Sequence, residues 1–267
     1  MRIIVPIKQV PETSNVKMDP QTGTMIRDGV ESIINPLDLY AIEATNILKE
    51  LHGGTVIALS MGPMSADKAL REALAMGCDE AVLVSDRAFA GADTWSTAYV
   101  LAQVIREIGD YDLILCGERA TDGDTGQVGP NIASALDVPL ATYVSQIEEV
   151  DPTARQMKVW RMTEYGYEQL ALPLPALLTV VKEVSFPRLP TLRGKQRARK
   201  ADIKVYSADD LSVEKDKIGL KGSPTRVTKI ETPKVTRGGV LLKPADEQAL
   251  EDAVDKLVAF LKDKDLV

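Results

Sequence analysis

Few side chains in this sequence could carry out a reaction unaided. The sole histidine is His52, and the two cysteines, Cys78 and Cys116, lie far apart. The sequence offers neither a Cys–His–Asn nor a Ser–His–Asp set, and no run has the spacing of zinc or iron–sulfur ligands. His52 precedes Gly53-Gly54 at an expected helix end, where it reads as a carbonyl cap. Any chemistry must therefore be supplied by a group that the protein binds. The stretch best able to bind one is Gly117-Glu118-Arg119-Ala120-Thr121-Asp122-Gly123-Asp124-Thr125-Gly126-Gln127-Val128. Its glycines let backbone N–H groups approach an anion, and its Thr, Asp and Gln side chains add donors and acceptors. A solvated Gly/Asp turn would have similar composition. Its length and its place behind the apolar run Asp112-Leu113-Ile114-Leu115 favour a nucleotide site.

Around that loop the chain alternates between short apolar runs and helical patterns. Ile3–Ile7, Thr55–Met61, Ala81–Val84 and Asp112–Leu115 read as strands. Between them lie a helix capped at Asn35 with Pro36 at its first position, a helix from about Ser65 to the terminal Gly77, and a helix capped at Asp93 or Thr94. Asn131–Leu136 reads as a fourth helix after the loop. The expectation is an α/β fold with a doubly wound, mostly parallel sheet. In such a fold ligands gather outside the carboxyl ends of the strands. Pro6-Ile7-Lys8, Met61-Gly62, the Asp86–Thr97 stretch and the Gly117–Val128 loop all leave those ends, and Asn35–Asp38 adds a helix start. There is no G-x-G-x-x-G after the first strand and no P-loop, so neither phosphate fingerprint applies.

With 267 residues and 45% hydrophobic content the chain can bury a full core, although aromatic residues make up only 4%. A net charge of −7 argues against a nucleic-acid binder. No apolar run approaches the roughly 18–20 residues of a membrane span, and Met1-Arg2-Ile3-Ile4-Val5 enters a strand pattern without a leader layout, so a cytoplasmic location is expected.

After Pro139 further strand-like runs are expected on the same sheet, with Trp160 and Tyr165–Tyr167 at its edge. Residues Glu12–Ile33 read as a polar excursion or small hairpin. Phe186-Pro187-Arg188-Leu189-Pro190-Thr191-Leu192-Arg193 is expected to be extended and non-helical, followed by the basic Lys195, Arg197, Arg199 and Lys200. It reads as either a solvated loop or a docking peptide with apolar anchors and charge steering. Asp202–Pro244 has little periodicity and reads as an arm, leading to an amphipathic helix over 245–264. The expected division is 1–200 for the α/β domain and 201–267 for the arm and helix.

Together, Val5-Pro6-Ile7-Lys8-Gln9-Val10-Pro11, Asn35-Pro36-Leu37-Asp38, Ser60-Met61-Gly62-Pro63, Ala73-Leu74-Ala75-Met76-Gly77, Asp122–Pro130 and Leu189-Pro190 resemble the β subunit of electron transfer flavoproteins, over essentially the whole chain. The resemblance implies an adenine nucleotide α-hydrolase-like fold and an α-subunit partner that holds a flavin and is reached by the C-terminal arm. In conventional members the β-subunit site holds AMP. In the electron-bifurcating branch it holds FAD, which takes hydride from NADH and sends electrons to two acceptors. Ser85–Thr94, Gly123 and Gly126 look like the bifurcating branch. That implies a low-potential carrier, ferredoxin or flavodoxin, and an acyl-CoA dehydrogenase-like partner.

Carried onto this sequence, the Gly117–Val128 loop and the helix start Asn35, Pro36, Leu37 and Asp38 would hold the adenosine diphosphate half, with Lys8 a further cofactor-binding residue. Pro6, Met61 and Gly62 would line the adenine. Thr94, Thr97 and Arg87, beside Asp93, would lie nearer the isoalloxazine. Leu189, with Leu192 and Arg193, matches the family's partner-recognition segment. Two other readings stay open: a conventional AMP-holding carrier, and a nucleotide-binding stress-type module with no redox role.

Overall fold

Strand residues alternate between two apolar layers, and that alternation builds the molecule. Strand β1 (Arg2–Pro6) sends Ile3 and Val5 to one face and Ile4 to the other, all fully buried. The structure, a computed structural model, describes residues 1–12, 32–228 and 239–266. The excursion expected at Glu12–Ile33 therefore lies mostly outside the described residues. Its two ends, β2 (Gln9–Pro11) and β3 (Ser32–Ile34), pair antiparallel. The segment 229–238 of the expected arm lies outside them as well.

Next come α1 (Pro36–His52), β4 (Thr55–Met61), α2 (Asp67–Met76), β5 (Glu80–Val84), α3 (Thr94–Ile108), β6 (Leu113–Gly117) and α4 (Val128–Leu136). A meander follows: β7 (Leu140–Asp151), β8 (Gln156–Thr163), β9 (Gly166–Pro173) and β10 (Ala176–Val180). Then α5 (Leu192–Lys200), β11 (Lys204–Tyr206), the single turn α6 (Gly219–Gly222) and α7 (Glu247–Asp263) complete the order. The nine-stranded sheet runs β11-β5-β4-β1-β6-β10-β7-β8-β9, and only the β7–β8 and β8–β9 pairs are antiparallel. This is the α/β, mostly parallel sheet expected.

Two helical layers sandwich the sheet. Ala41, Leu48, Leu70 and Leu74 of α1 and α2 cover one face, and Val100, Leu101, Ile105 and Ile132 of α3 and α4 cover the other. Aliphatics carry the packing, so truncating a fully buried one such as Leu70 should cost about 2–5 kcal/mol. Both buried thiols are inert: burial pushes Cys78 up to about 12 and Cys116 higher still.

Two stretches differ from the sequence expectation. The extension from Phe186 stops at Thr191, whose hydroxyl accepts from the Gly194 N–H and starts α5 at Leu192, so Leu192 and Arg193 stand on a helical turn. The prolines hid this helix, and so did Gly194, a poor helix former. A Cβ there would come within 2.2 Å of the Ala75 carbonyl, so glycine is required where α5 presses on α2. Within the expected arm, β11 adds to the sheet beside β5. The chain forms two compact units, Met1–Thr228 and Lys229–Val267. In the second unit α7 is capped by Asp246 and leaves Leu250, Val254, Leu257 and Phe260 exposed. Among the described residues no helix is long and apolar enough to cross a membrane.

Candidate functional site

The order of strands fixes where a ligand can bind. From β1 the chain winds outward through β4 and β5, then crosses back to place β6 on the opposite side of β1. A crevice therefore opens at the carboxyl ends of β1 and β6, the switch point of the sheet. Asn35 is the strut of that crevice. It is fully buried; its amide N–H₂ donates to Asp38 Oδ1 and to the Arg119 carbonyl, both at 2.9 Å, and its oxygen accepts from the Thr121 N–H at 3.1 Å. It occupies the expected cap position of α1, yet its side chain caps no α1 amide. That side chain is spent on joining the start of α1 to the loop after β6.

Asp38 completes the joint. Oδ2 accepts from the Lys8 N–H at 2.7 Å, and a Cβ on Gly117 would sit 2.4 Å from Oδ1, so glycine is needed at the end of β6. Burial pushes the Asp38 carboxyl up to about 7, against the pull of donors from Asn35, Lys8 and Gly117. The loop continues with the Gly123 and Asp124 N–H groups both donating to the Ala120 carbonyl, and Asp124 and Gly126 have φ of 53° and 64°. A Cβ on Gly123 would meet nothing within 4 Å. The acids of the loop pair with cations: Asp122 with Lys8 Nζ, which follows β1, at 2.7 Å, and Asp124 with the loop's own Arg119 at 2.9 Å. Lys8 and Arg119 are about half exposed, so these pairs contribute little to stability.

From the other side, the Thr94 hydroxyl at the start of α3 donates to Gln127 Oε1 at 2.8 Å, just before α4. No side chain caps α4 among the described residues. Thr97 lies one turn beyond Thr94, and its N–H is held by the Asp93 carbonyl. Pro6 and Met61 end β1 and β4, and the Gly62 N–H bonds the Val84 carbonyl. Pro36 and Leu37 open α1, with Leu37 backbone packed beneath Gly117. The Glu118 N–H bonds the Val180 carbonyl, so β10 also steadies the loop. Thr125 and Val128 complete the path into α4, Val128 packing on the α3–α4 core.

Two residues stand apart from this grouping. Arg87 is exposed on a short turn and makes no ion pair among the described residues. Asp93 is committed largely to structure. Its Oδ1 caps α3 through Ser96, its Oδ2 accepts from both the N–H and the hydroxyl of Thr225, and its own N–H donates to Ser223. Segment 217–225 is thus bolted to the start of α3, with Ser96 also donating to the Lys217 carbonyl. Sequence reasoning missed Ser223 and Thr225 because a Ser-Pro-Thr run in an aperiodic stretch has no signal of its own. Ser60, next to last on β4, has a buried hydroxyl with no partner among the described residues.

With this geometry in place, similarity to known proteins becomes informative. The electron transfer flavoprotein domain family model matches residues 22–211. The chain is 48% identical over 259 residues to the electron transfer flavoprotein subunit beta of Thermoanaerobacterium thermosaccharolyticum, covering 96% of this chain and 98% of the relative. It is 44% identical to the caffeyl-CoA reductase-Etf complex subunit CarD of Acetobacterium woodii, over the full length of both. It is also 42% identical to Protein FixA of Azorhizobium caulinodans, covering 95% and 92% of the two chains.

Proposed function

The chain belongs to the electron transfer flavoprotein family as a β subunit, and from that premise we propose that, paired with an α subunit, it holds FAD at the β1–β6 crevice and serves NADH-driven electron bifurcation. One electron branch would go to ferredoxin or flavodoxin. The other would pass through the flavin of the α subunit to an acyl-CoA dehydrogenase-like partner. The Acetobacterium relative, named as a subunit of a caffeyl-CoA reductase complex, supports a partner that handles CoA thioesters.

The observation that carries the proposal is the shape of the Gly117–Val128 loop. Asn35 and Asp38 hold its base, while Gly123 faces open space and Gly126 turns left-handed, so no side chain at either position narrows the approach to the loop backbone. That fits a dinucleotide better than a closed mononucleotide cradle. Bound there, FAD would supply hydride acceptance and one-electron transfer. This chain's own groups would bind and orient it: N–H groups of the loop and the α4 start on the diphosphate, Lys8 and Arg119 for its charge, and the Thr94 and Thr97 hydroxyls towards the ring system. Asp93 acts behind Thr94 by fixing the start of α3.

Anaerobic titration of the purified two-subunit complex with NADH tests the redox half. Bleaching of flavin absorbance by NADH alone is expected. A flavin spectrum that NADH leaves untouched, yet a reduced acyl-CoA dehydrogenase bleaches, would assign the chain to conventional carriers with AMP.

A further inference from the structure

From the end of β11 to Thr225 the chain is tied repeatedly to the stretch Ser85–Tyr99. The Ser85 N–H bonds the Tyr206 carbonyl at 2.9 Å. Asp86 Oδ2 accepts from the Ala208 N–H at 3.0 Å, while its Oδ1 accepts from the Ala88 N–H at 2.9 Å and so shapes the turn that carries Arg87. Tyr206, Leu211 and Ile218 are buried in the same apolar layer as Phe89 of that turn. Further on, the Tyr99 hydroxyl accepts from the Glu214 N–H at 3.1 Å, and the Lys217 ammonium lies 5.7 Å from the centre of the Tyr99 ring.

At α6 the two stretches press together. The Leu220 N–H bonds the Ala90 carbonyl at 3.0 Å. Gly219 has φ of 59°, and a Cβ there would come within 2.2 Å of the Ala88 carbonyl oxygen, so only glycine allows the two backbones to meet. The Ser223 hydroxyl donates to the Gly219 carbonyl at 2.7 Å and accepts from the Asp93 N–H at 2.8 Å. Thr225 then gives Asp93 Oδ2 both its N–H, at 2.9 Å, and its hydroxyl, at 2.8 Å. Capping α3 through Ser96 needs only Oδ1. The second oxygen is taken up by a residue 132 positions later in the chain. Donors to an ionised carboxylate hold more firmly than donors to a neutral oxygen.

We propose that Tyr206–Thr225 is a positioning strap for the candidate site, holding the turn of Arg87 and the start of α3 in one frame, with Thr225 as the positioning residue that sets Thr94 through Asp93. This rests on the placement of Thr94 and Arg87 beside the ligand. It adds a dependence that neither residue shows alone: the wall they form is complete only while a distant segment is seated on it. Thr94 donates to Gln127 just before α4, so a shift at Asp93 passes on to the loop side of the crevice. The coupling is reciprocal, and a ligand that Thr94 holds must in turn steady the strap.

The test follows amide hydrogen exchange and nucleotide release on the intact two-subunit complex, the released nucleotide being counted per heterodimer and identified as FAD or AMP by chromatography. Thr225→Val keeps the shape and the N–H but removes the hydroxyl donor. It should speed exchange at Ser96 and Thr97, whose N–H groups Asp93 holds, and should speed nucleotide release about fivefold. Thr225→Ser retains the hydroxyl and should match the wild type in both readouts. Gly219→Ala, which drives a Cβ into the Ala88 carbonyl, should speed exchange at Ala88. Wild-type exchange at Ser96 and Thr97 in Thr225→Val overturns the strap. Faster exchange there with wild-type release also overturns it, because the contact would then be structural alone. Wild-type exchange at Ala88 in Gly219→Ala overturns the strap's hold on the Arg87 turn. AMP among the released nucleotides would end the FAD reading of the crevice, while exchange at Ser96 and Thr97 reads the strap whichever nucleotide is released.

Discussion

At the β1–β6 crevice two polar side chains, Asn35 and Asp38, turn inward and brace an exposed polar loop from behind. Asn35 and Asp38 are buried and spend their hydrogen bonds on the Arg119, Thr121 and Lys8 main chain, so what is left exposed is a glycine-bearing loop. Along Ser185–Leu192 the polar groups again turn inward, but the outward row is apolar. Both regions are fixed from behind by groups at or on α1, near residues 35–38 in one case and 40–50 in the other. Main-chain donors suit an anion of fixed shape, whereas rigid apolar side chains suit a protein groove. The same helix thus braces two surfaces of different chemistry, and it can be perturbed at either place separately.

The largest effect should come from the strut of the crevice. Asn35→Ala leaves the Asp38 carboxyl short of a donor and the Arg119 carbonyl and Thr121 N–H without their partner, which should cost about 3 kcal/mol in urea unfolding and strip the crevice of its nucleotide. A fully stable variant that retains its nucleotide would break the comparison. Next come two glycines of the same loop. Gly117→Ala drives a Cβ against Asp38 and the Leu37 backbone and should cost about 1–3 kcal/mol. Gly123→Ala meets nothing and should leave stability within about 0.5 kcal/mol, lowering nucleotide retention alone. Equal unfolding midpoints for the two would show that the loop is not braced as described.

Asp38 gives a pH signature. Its carboxyl, raised from 3.8 to about 7 by burial and faced by the Lys8 ammonium, keeps a proton in the folded chain where the unfolded chain has lost it. Its contribution to stability therefore falls as pH rises from about 4 to about 7 and is flat above that. Asp38→Asn should remove that slope from a series of urea midpoints; a variant with the wild-type slope would contradict the assignment. The smallest effect belongs to Thr94→Val, which loses one partly exposed hydrogen bond to Gln127. It should change stability by less than about 1 kcal/mol and, if the crevice holds FAD as proposed, shift that flavin's absorbance.

The central parallel strands β1, β4, β5 and β6 were legible because each is a short apolar run, and the crevice followed from the order of those runs. Asn35 was placed correctly at a helix start, but its larger task was hidden, since its partners Arg119 and Thr121 lie 84 and 86 residues away. The latch of Thr225 on Asp93 was hidden for the same reason, across 132 residues. Over 186–191 the prolines gave the extended conformation, but the same prolines hid the cap at Thr191. Gly194 masked the helix because its purpose is contact with α2, which no local pattern records. Propensity speaks for neighbours along the chain, and long-range polar joints escape it.

Cofactor content of the intact two-subunit complex, released by denaturation and counted by chromatography, bears most directly on what the crevice holds. Two FAD and no AMP per heterodimer is the predicted result. One FAD with one AMP would contradict it.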